Sequence, residues 1–516
     1  MLKTIAVYIV ATLYFIVSAG LFAYGLHCFS MLWLGLRKRK EKYAPEIAKL
    51  EEWPHVTVQI PIYNEMYVAE RIIKCASEFD YPAGKLQIQV LDDSTDQTAT
   101  IVGKLVSQLQ REGINIDHLH RSNRNGYKAG ALKEAMDSAT GEYLAIFDAD
   151  FVPQPDYLKL MVPWFQPEVG FVQARWGHLN RNHSILTRTQ SIFIDAHFTL
   201  EQIARSRSGL FFNFNGTAGI WRREALESVG GWSADTLTED VDLSYRTMMA
   251  GWEAVYVNDV EVPAELPVSA QGFRRQQHRW ARGSLECAIK LLPSVWRLDA
   301  PLSQKLAATF HLTGYSIHFL ILGLVILYPM ILLLTPTYPW LIGLGGAAMV
   351  FALTSLVPSA FFVAGQLQAN NRLNVSIFFI LFLTTAGAGL MLNTLRAAFE
   401  IFTKKQAEFE RTAKFGTHND GKQKGLWMAQ KYNLTADRLS FWEIFLGLIS
   451  FATSSYAVFM DHWGIAFYAF VFGSGLLFIS GLTVFQTMQI RFLQWRNGRA
   501  IEEAEIVTEV ASIAGD

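Results

Sequence analysis

The chain is poor in cysteine and carries almost no net charge. Three of its 516 residues are cysteines, at positions 28, 75 and 287, and their spacing matches neither a disulfide framework nor a metal-binding motif. The formal charge is −1 at pH 7, so there is no basic footprint of the kind that binds nucleic acid. These absences argue against a nucleic-acid partner, and we expect the cysteines to be small buried apolar residues.

Charged residues are also scarce, at 18% of the chain, whereas apolar residues make up 51%. The first long apolar run, residues 5–36, contains no Asp, Glu, Lys or Arg and exceeds the roughly 20 residues that span a bilayer. It is too long for the core of a signal peptide, and four basic residues follow it at 37–40. We therefore predict an uncleaved anchor whose C-terminal end faces the cytoplasm.

Further apolar runs near membrane-spanning length lie towards the C-terminus, at residues 312–334, 340–367, 375–392, 441–460 and 465–487. Between residues 53 and 300, in contrast, charges are frequent and apolar runs are short, as in a soluble α/β domain. Residues 56–61, 86–91 and 143–147 are typical of strands, and a helix is predicted from residue 63 to 79. The sequence thus predicts a cytoplasmic α/β domain between membrane segments.

Acidic residues follow two of these strands. Asp92 and Asp93 end the second, and Asp148 and Asp150 end the third. Ligands of doubly wound sheets bind at the carboxyl ends of the strands, so we predict a nucleotide site there. Turn formation or helix capping would explain any one of these clusters alone, but explains the set less well.

Asp148 and Asp150 lie two positions apart, so in a continuing strand both side chains would project to one face and could share a divalent cation. We expect Mg²⁺ or Mn²⁺, which would neutralise the charge that develops on the diphosphate of a sugar nucleotide. Lys128, in the glycine-containing segment 124–132, could contact the same phosphates. A surface turn that leads into a helix is the alternative for that segment.

A further acidic cluster lies at residues 238–240. A carboxylate is the usual general base for a sugar hydroxyl, and Asp240 is our candidate, with Glu239 beside it. The start of a helix, capped by Thr238, would produce the same pattern. Both interpretations can hold together, because a helix start would fix a catalytic side chain.

Taken in order, these motifs resemble those of membrane-integrated family 2 glycosyltransferases of the cellulose-synthase-like type. The matching segments are residues 61–65 (PIYNE), 92–93 (DD), 148–150 (DAD), 238–240 (TED) and 276–280 (QQHRW). The last is the most specific, because it is long and precedes the second apolar region. The resemblance covers about residues 50–460, and the membrane part matches by pattern only.

The resemblance implies an inverting, metal-dependent enzyme with a GT-A fold, a Rossmann-like α/β catalytic domain inserted between transmembrane helices. It implies nucleotide-sugar binding by Pro61, Tyr63, Glu65, Asp93, Lys128 and Asp148, and metal binding by Asp148 and Asp150. Asp240 would be the base, and Gln276, Arg279 and Trp280 would lie on the acceptor and diphosphate side, where indole offers an apolar face to a sugar. A basic amphipathic helix on the membrane surface is the alternative for the last segment.

Segments 171–176 and 212–222 are similar to the cellulose-synthase-like A proteins, the mannan and glucomannan synthases. Residues 409–416 resemble the gating loop that closes over the donor in processive members, and the matching residues are Phe409, Arg411, Thr412 and Lys414. Ala413 stands where the family usually has proline, so we expect a less rigid loop. A juxtamembrane basic segment that contacts lipid headgroups is the alternative.

We therefore predict an N-terminal anchor (1–36), a GT-A domain (50–300), interface and transmembrane helices (301–400), a cytoplasmic gating-like loop (401–440), a transmembrane hairpin (441–490) and a cytoplasmic tail (491–516). A catalytic domain and a loop on the same side require an even number of crossings between them, but three apolar runs lie there. Residues 384–389 (TTAGAG) interrupt the third run. We expect residues 375–392 to be re-entrant or interfacial rather than spanning.

The predicted function is transfer of a hexose from GDP-mannose or UDP-glucose to a growing β-linked polysaccharide, at the inner or plasma membrane. The alternative is a glycolipid synthase that transfers one sugar to diacylglycerol or ceramide. A transporter or receptor with a degenerate α/β domain is disfavoured, because every acidic residue of the motifs is present. The expected partners are the nucleotide-sugar donor, a polysaccharide or lipid acceptor, and membrane lipids.

Overall fold

A mixed sheet of seven strands organises the region between residues 56 and 264. The computed structural model describes residues 2–39, 50–344, 354–369, 373–403, 405, 410–417 and 426–513. The strands are β1 Val56–Ile62, β2 Leu86–Asp92, β3 Ile116–His120, β4 Tyr143–Ile146, β5 Val169–His178, β6 Gly219–Arg222 and β7 Glu253–Ala264. Their order is β3-β2-β1-β4-β6-β5-β7, and only β6 runs antiparallel to its neighbours.

The helices of this region are numbered from α2, because helix α1 (Leu2–Lys38) precedes the sheet. They are α2 Ala69–Ser77, α3 Gln97–Arg111, α4 Tyr127–Ala135, α5 Tyr157–Met161, α6 Ile185–Ala196, α7 Ile203–Arg207, α8 Arg223–Ser228 and α9 Glu239–Met249. A π-helical stretch, His197–Gln202, joins α6 to α7. The α/β architecture predicted from the sequence is confirmed.

Strand β1 is buried on both faces. Val56, Val58 and Ile60 of one face belong to the main hydrophobic cluster of the domain. Thr57 and Gln59 of the other face are equally buried, and each donates a side-chain hydrogen bond to a glutamine of β2, at 2.9 and 3.0 Å. Buried polar groups need such partners, so this side-chain ladder also fixes the register of β1 against β2.

The loops after β1 and β4 differ from the sequence prediction. The helix predicted from residue 63 begins at Ala69, because Asn64 adopts a left-handed backbone (φ 53°) and its side-chain carbonyl accepts a hydrogen bond from the Thr95 amide at 2.8 Å. Strand β4 ends at Ile146, so Asp148 and Asp150 lie in a turn, not on a continuing strand. Both loops nevertheless open at the edge where β1, β2 and β4 end.

The remaining helices are apolar or connect to apolar ones. They are α1 Leu2–Lys38, α10 Ala270–Arg297, α11 Leu302–Leu312, α12 Ile317–Leu334, α13 Val357–Gln368, α14 Leu373–Ala388, α15 Met391–Phe402, α16 Leu439–Phe459 and α17 Trp463–Ile513. By length and composition, five stretches of the described residues could cross a membrane: Thr4–Lys38, Gly314–Leu334, Ile377–Phe402, Leu439–Phe459 and Trp463–Arg496.

The predicted run at 340–367 is not among these five stretches. Its residues 345–353 lie outside the described part of the chain, and its end forms the 12-residue helix α13. The helix break predicted within residues 375–392 is present at positions 389–390, between α14 and α15. Gly389 lies there against the carbonyl of Gly475 on α17, where a Cβ would come within 2.4 Å of the oxygen. The re-entrant path of this segment stays a prediction.

Two contacts join the apolar helices to the α/β region. Gly35 of α1 lies against Leu200 in the π-helical stretch, and a Cβ at Gly35 would meet the Leu200 carbonyl oxygen at 2.8 Å. Arg274 of α10 forms a buried ion pair with Glu443 of α16, and the two side chains are 2% and 0% exposed. Removing one partner of a buried pair is costly, so this contact holds α10 against α16.

Candidate active site

A cavity of about 170 Å³ lies at the carboxyl edge of β1, β2 and β4. We call it the donor cavity. Apart from Phe409, which lies outside the described residues, all the site residues predicted from the sequence line it: Pro61, Tyr63, Glu65, Asp93, Lys128, Asp148, Asp150, Glu239, Asp240, Gln276, Arg279, Trp280, Arg411, Thr412 and Lys414. Residues far apart in the chain therefore meet in one place, while their individual roles stay predictions.

Two arginines organise one end of the donor cavity. Arg121 pairs with both carboxylate oxygens of Asp93, at 2.7 and 2.6 Å, and both side chains are nearly buried. Arg124 stacks its guanidinium group on the ring of Tyr63, 3.4 Å from the ring centroid. Sequence reasoning missed both residues, although Arg124 opens the segment 124–132 that it singled out. Charged and aromatic groups together suit a nucleoside.

Lys128 contacts three separate parts of the cavity wall. Its ammonium group lies 2.6 Å from Asp148 and 3.9 Å from Glu239, and it donates to the carbonyl oxygen of Gly216 at 2.8 Å. Burial alone would lower the pKa of Lys128, but the negative charges of Asp148, Glu239 and Asp240 together raise it. The site therefore holds a permanent positive charge beside Asp148.

Lys414 brings a second positive charge from a distant part of the chain. It donates a hydrogen bond to Asp150 at 2.6 Å and another to the carbonyl oxygen of Glu265. The Glu265 carboxylate in turn accepts from the amides of Phe415 and Thr417, at 2.8 and 3.1 Å, and from the Thr417 hydroxyl at 3.0 Å. Glu265 thus anchors the loop segment 410–417 over the cavity.

Glu265 carried no signal in the sequence, because it is a single acid between an alanine and a leucine, outside every motif. Burial raises the pKa of Glu265, and the nearby Lys414 partly offsets this. Its hydrogen bonds to backbone amides are of the kind that stabilise the ionised form. Its importance could be recognised only from the fold.

The donor set at Asp148 and Asp150 fits a hard divalent cation. Both residues offer carboxylate oxygens to the same cavity, and oxygen is the ligand atom that Mg²⁺ and Mn²⁺ prefer. Asp148 pairs with Lys128 through Oδ1, and Asp150 pairs with Lys414 through Oδ2. The ammonium groups of Lys128 and Lys414 place positive charge beside the two carboxylates, as a bound cation would.

Glu239 and Asp240 begin helix α9, as the sequence predicted. The Thr238 side chain, however, forms no capping hydrogen bond. It packs closely against Gly283 of α10, and its hydroxyl lies 3.4 Å from the sulfur of Cys287 on the same helix. Burial and the neighbouring Glu239 raise the pKa of Asp240 to about 7, against the opposing effect of Lys128. A carboxyl group with that pKa is suited to act as a base near neutral pH.

Gln276, Arg279 and Trp280 lie on one face of α10, at positions i, i+3 and i+4, and face the donor cavity. Arg279 donates a hydrogen bond to the carbonyl oxygen of Glu410 at 3.1 Å, which joins α10 to the loop segment 410–417. Burial lowers the pKa of Arg279, while Glu239 and nearby acids oppose this. The helix therefore forms part of the cavity wall and contacts the loop that covers it.

A second cavity, of about 560 Å³, continues from the first, and we call it the acceptor cavity. Both cavities are lined by Trp176, Asn215, Thr238, Asp240, Gln276 and Trp280. The acceptor cavity extends among residues of the apolar helices α1, α12, α13, α14 and α17. Its aromatic lining includes Phe193, Phe198, Phe310, Phe361, Phe362 and Phe478. Asp240 and Trp280 thus stand where the two cavities meet.

Comparison with protein families gives a match over residues 54–283, to the family described as Glycosyltransferase like family 2. This segment is a glycosyltransferase family 2 domain. The match includes every motif from PIYNE to QQHRW and ends within α10. The family 2 domain therefore contains all the lining residues of the donor cavity except Arg411, Thr412 and Lys414 of the loop segment 410–417.

Two curated relatives of the family 2 domain come from Arabidopsis thaliana. Probable glucomannan 4-beta-mannosyltransferase 10 is 46% identical over 253 residues, which are 48% of this chain and 46% of the relative. Glucomannan 4-beta-mannosyltransferase 7 is 44% identical over 253 residues, with the same coverage. The matched part spans about half the length of these relatives. The predicted similarity to the cellulose-synthase-like A type is confirmed.

Among solved structures, a mannosyltransferase from Pyrobaculum calidifontis in complex with GDP-Man and Mn²⁺ has the same fold. It is 22% identical, the match covers 77% of this chain and 100% of that chain, and the TM-score is 0.51. This likeness concerns the fold alone. The GT-A fold predicted from the sequence is confirmed.

Proposed function

We propose that the protein is a membrane-bound inverting hexosyltransferase that extends a β-linked polysaccharide from a nucleotide sugar, GDP-mannose or UDP-glucose. The observation that carries this proposal is the position of Asp240 and Trp280, which line both the donor cavity and the acceptor cavity. A donor sugar on one side and an acceptor hydroxyl on the other can meet only there. The relatives named as glucomannan mannosyltransferases support the same substrate class.

The donor end would hold the nucleotide and its diphosphate. The nucleoside packs against Tyr63, Arg124 and the Asp93–Arg121 pair, and Lys128 and Arg279 face the diphosphate as cationic groups. A Mg²⁺ or Mn²⁺ ion bound by Asp148 and Asp150 would supply charge neutralisation as the diphosphate leaves. The protein's own contribution is to hold the anomeric carbon in front of Asp240.

Asp240 would act as the general base. It takes the proton from the acceptor hydroxyl as that oxygen attacks the anomeric carbon on the face opposite the diphosphate, so the configuration inverts. Trp280 offers its indole face to the terminal sugar of the acceptor, which orients the attacking hydroxyl. Lys128, which holds Asp148 and lies near Glu239, links the metal-binding side to the base side.

The loop segment 410–417 would cover the donor. Arg411 lies 3.7 Å from Glu65, Lys414 contacts Asp150, and Arg411, Thr412 and Lys414 all line the cavity. Closure of such a loop excludes water from the reacting carbon and brings positive charge to the diphosphate. Because Glu265 anchors this loop, the loop would return to the same closed position at each sugar addition.

The acceptor cavity supports a polymer product, because its aromatic side chains suit the apolar faces of successive sugars. One observation favours a second candidate, a glycolipid synthase: most of the exposed surface inside the acceptor cavity is apolar, and apolar helices line it. A diacylglycerol or ceramide could enter such a space. Size and solubility of the product separate the two, since only a polysaccharide is large and insoluble in organic solvent.

The proposed topology places the family 2 domain and the C-terminus in the cytoplasm and passes the chain through the membrane several times. Its domain limits are those predicted from the sequence. Arg37 and Lys38 at the end of α1 support the orientation, because basic residues next to a span favour the cytoplasmic side. Single cysteines placed at positions 39 and 461 should react with an impermeant thiol reagent from opposite sides of the membrane; labelling from the same side would contradict this topology.

A further inference from the structure

Asp92, His118 and His120 form a cluster that does not line the donor cavity. Asp92 ends β2, and the two histidines lie on β3, the edge strand, with His120 directly opposite Asp92. Oδ2 of Asp92 lies 2.9 Å from Nε2 of His118 and 3.3 Å from Nδ1 of His120. One ligand atom from each residue lies within 4.8 Å of the others. The three side chains thus converge on one point.

These distances suit a tetrahedral transition-metal site. Zn–N and Zn–O bonds of about 2.0–2.2 Å place neighbouring ligand atoms a little more than 3 Å apart. His118 and His120 project to the same side of β3, because alternate residues of a strand share a face. Only small side-chain rotations would bring all three atoms around a common ion. Three protein ligands would leave one coordination position for water.

The surroundings of Asp92 hold its carboxylate in place for such a role. The side chain is fully buried, and its second oxygen, Oδ1, accepts a hydrogen bond from the Ser94 amide at 2.8 Å. A hydrogen bond of this kind orients a ligating carboxylate. The His120 side chain is 45% exposed and the His118 side chain 21%, so an ion can reach the cluster from solvent.

We propose that Asp92, His118 and His120 bind a late first-row divalent cation, with Zn²⁺ as the natural choice. Two imidazoles and one carboxylate prefer such an ion, whereas the all-carboxylate set at Asp148 and Asp150 prefers Mg²⁺ or Mn²⁺. The simpler interpretation is that each histidine only donates a hydrogen bond to the buried carboxylate. The two interpretations differ in one measurable property, the affinity of the cluster for metal.

An ion at this cluster would brace the nucleotide end of the donor cavity. Asp92 precedes Asp93 and His120 precedes Arg121, so its ligands adjoin both partners of the buried Asp93–Arg121 pair. The ion would cross-link the ends of β2 and β3 and limit the relative movement of that pair. This consequence rests on the proposed function, whereas metal binding itself does not.

The test uses the full-length protein in detergent, freed of metal by chelation and titrated with Co²⁺ and Zn²⁺. Absorption of bound Co²⁺ reports the ligand set, and the midpoint of thermal unfolding reports stabilisation by Zn²⁺. We expect wild type to bind one equivalent at micromolar concentrations. His120→Gln, at an exposed position of the edge strand, and His118→Ala should each weaken binding by at least about 10-fold and remove the Zn²⁺-dependent stabilisation.

Two control variants make the result specific. His55→Ala removes an exposed histidine outside the cluster, and Asp148→Asn removes a ligand of the other metal site; both should bind Co²⁺ and Zn²⁺ as wild type does. The proposal is overturned if wild type binds neither ion at micromolar concentrations, or if His120→Gln binds them as tightly as wild type. Neither outcome depends on transferase activity, so failure here is distinguishable from failure of the proposed function.

Discussion

The ammonium group of Lys414 lies 2.6 Å from Oδ2 of Asp150, although 264 positions of sequence separate the two residues. The contact brings a cation from the loop segment 410–417 to a carboxylate that is proposed to bind the metal. Because Glu265 holds the adjoining backbone through both of its carboxylate oxygens, the loop position and the charge at Asp150 are coupled. Substitutions at these contacts should therefore change both donor binding and loop closure.

Glu265→Gln should release the loop segment 410–417. An amide has one acceptor oxygen in place of two, so at least one donor among the Phe415 amide, the Thr417 amide and the Thr417 hydroxyl loses its partner. A lost buried hydrogen bond of this kind costs about 1–3 kcal/mol. We expect faster hydrogen exchange in residues 411–417 and a higher KM for the donor.

Glu261→Gln is the matched control for this variant, because Glu261 is a half-exposed acid of the same strand, β7, paired with Arg175. It should leave exchange in the loop unchanged. Equal exchange rates in wild type and Glu265→Gln would refute the anchoring role of Glu265.

Asp240→Asn should abolish sugar transfer and spare donor binding. The amide cannot accept the proton of the acceptor hydroxyl, and a positioned base contributes about 10²–10⁴-fold to such rates. Asp235→Asn, at an exposed residue close to the same helix, is the control and should keep full activity. Turnover by Asp240→Asn within a few-fold of wild type would remove Asp240 as the base.

The rate should rise with pH through about 7. Burial and Glu239 raise the pKa of Asp240 to about 7, and the base works only when it is deprotonated, so kcat/KM should fall below that pH and level off above it. Glu239→Gln removes the neighbouring negative charge, which lowers the pKa of Asp240 and moves the acid limb of the profile to lower pH. A profile that is flat from acidic to alkaline pH, in an enzyme that remains folded, would contradict this assignment.

Arg121→Lys should weaken donor binding. Lysine cannot reproduce the two parallel hydrogen bonds to Asp93, and loss of a bidentate, charge-assisted contact costs about 1.5–3 kcal/mol. The KM for the donor should therefore rise roughly 10-fold or more, with a smaller change in kcat. Arg111→Lys, at an exposed arginine that donates to the carbonyl oxygen of Ser107 within its own helix, should behave as wild type. An unchanged KM in Arg121→Lys would contradict a role of the Asp93–Arg121 pair in nucleotide binding.

The sequence was sufficient to predict those features of the site whose residues are neighbours in the chain. Asp148 and Asp150, or Gln276 and Trp280, belong to short motifs, and the fold brings these motifs together at the strand ends. Sequence was insufficient where a contact joins isolated residues, as between Glu265 and Phe415 or between Arg121 and Asp93. Nothing local distinguishes such residues from other acids and arginines.

Element boundaries failed for a related reason. Apolar alternation predicts that a strand exists, but the chain after β1 follows a left-handed turn at Asn64, whose side chain bonds to Thr95 in the next loop. That bond depends on the pairing of β1 with β2, which delays the helix until Ala69. The break at Gly389, in contrast, was predicted from the sequence, and this glycine lies against the carbonyl oxygen of Gly475 on α17.

The most direct test of the proposed function is the product made by the purified protein in lipid nanodiscs, supplied with labelled GDP-mannose or UDP-glucose and Mn²⁺. The prediction is a labelled product of high molecular weight that an endo-β-mannanase or endo-β-glucanase degrades and that Asp240→Asn does not make. Trp280→Ala should shorten the product more than Trp280→Phe, because phenylalanine keeps an aromatic face at the junction of the two cavities. A label found only in a small, lipid-soluble product would contradict polymer synthesis, and the absence of transfer from either donor would contradict the proposed activity.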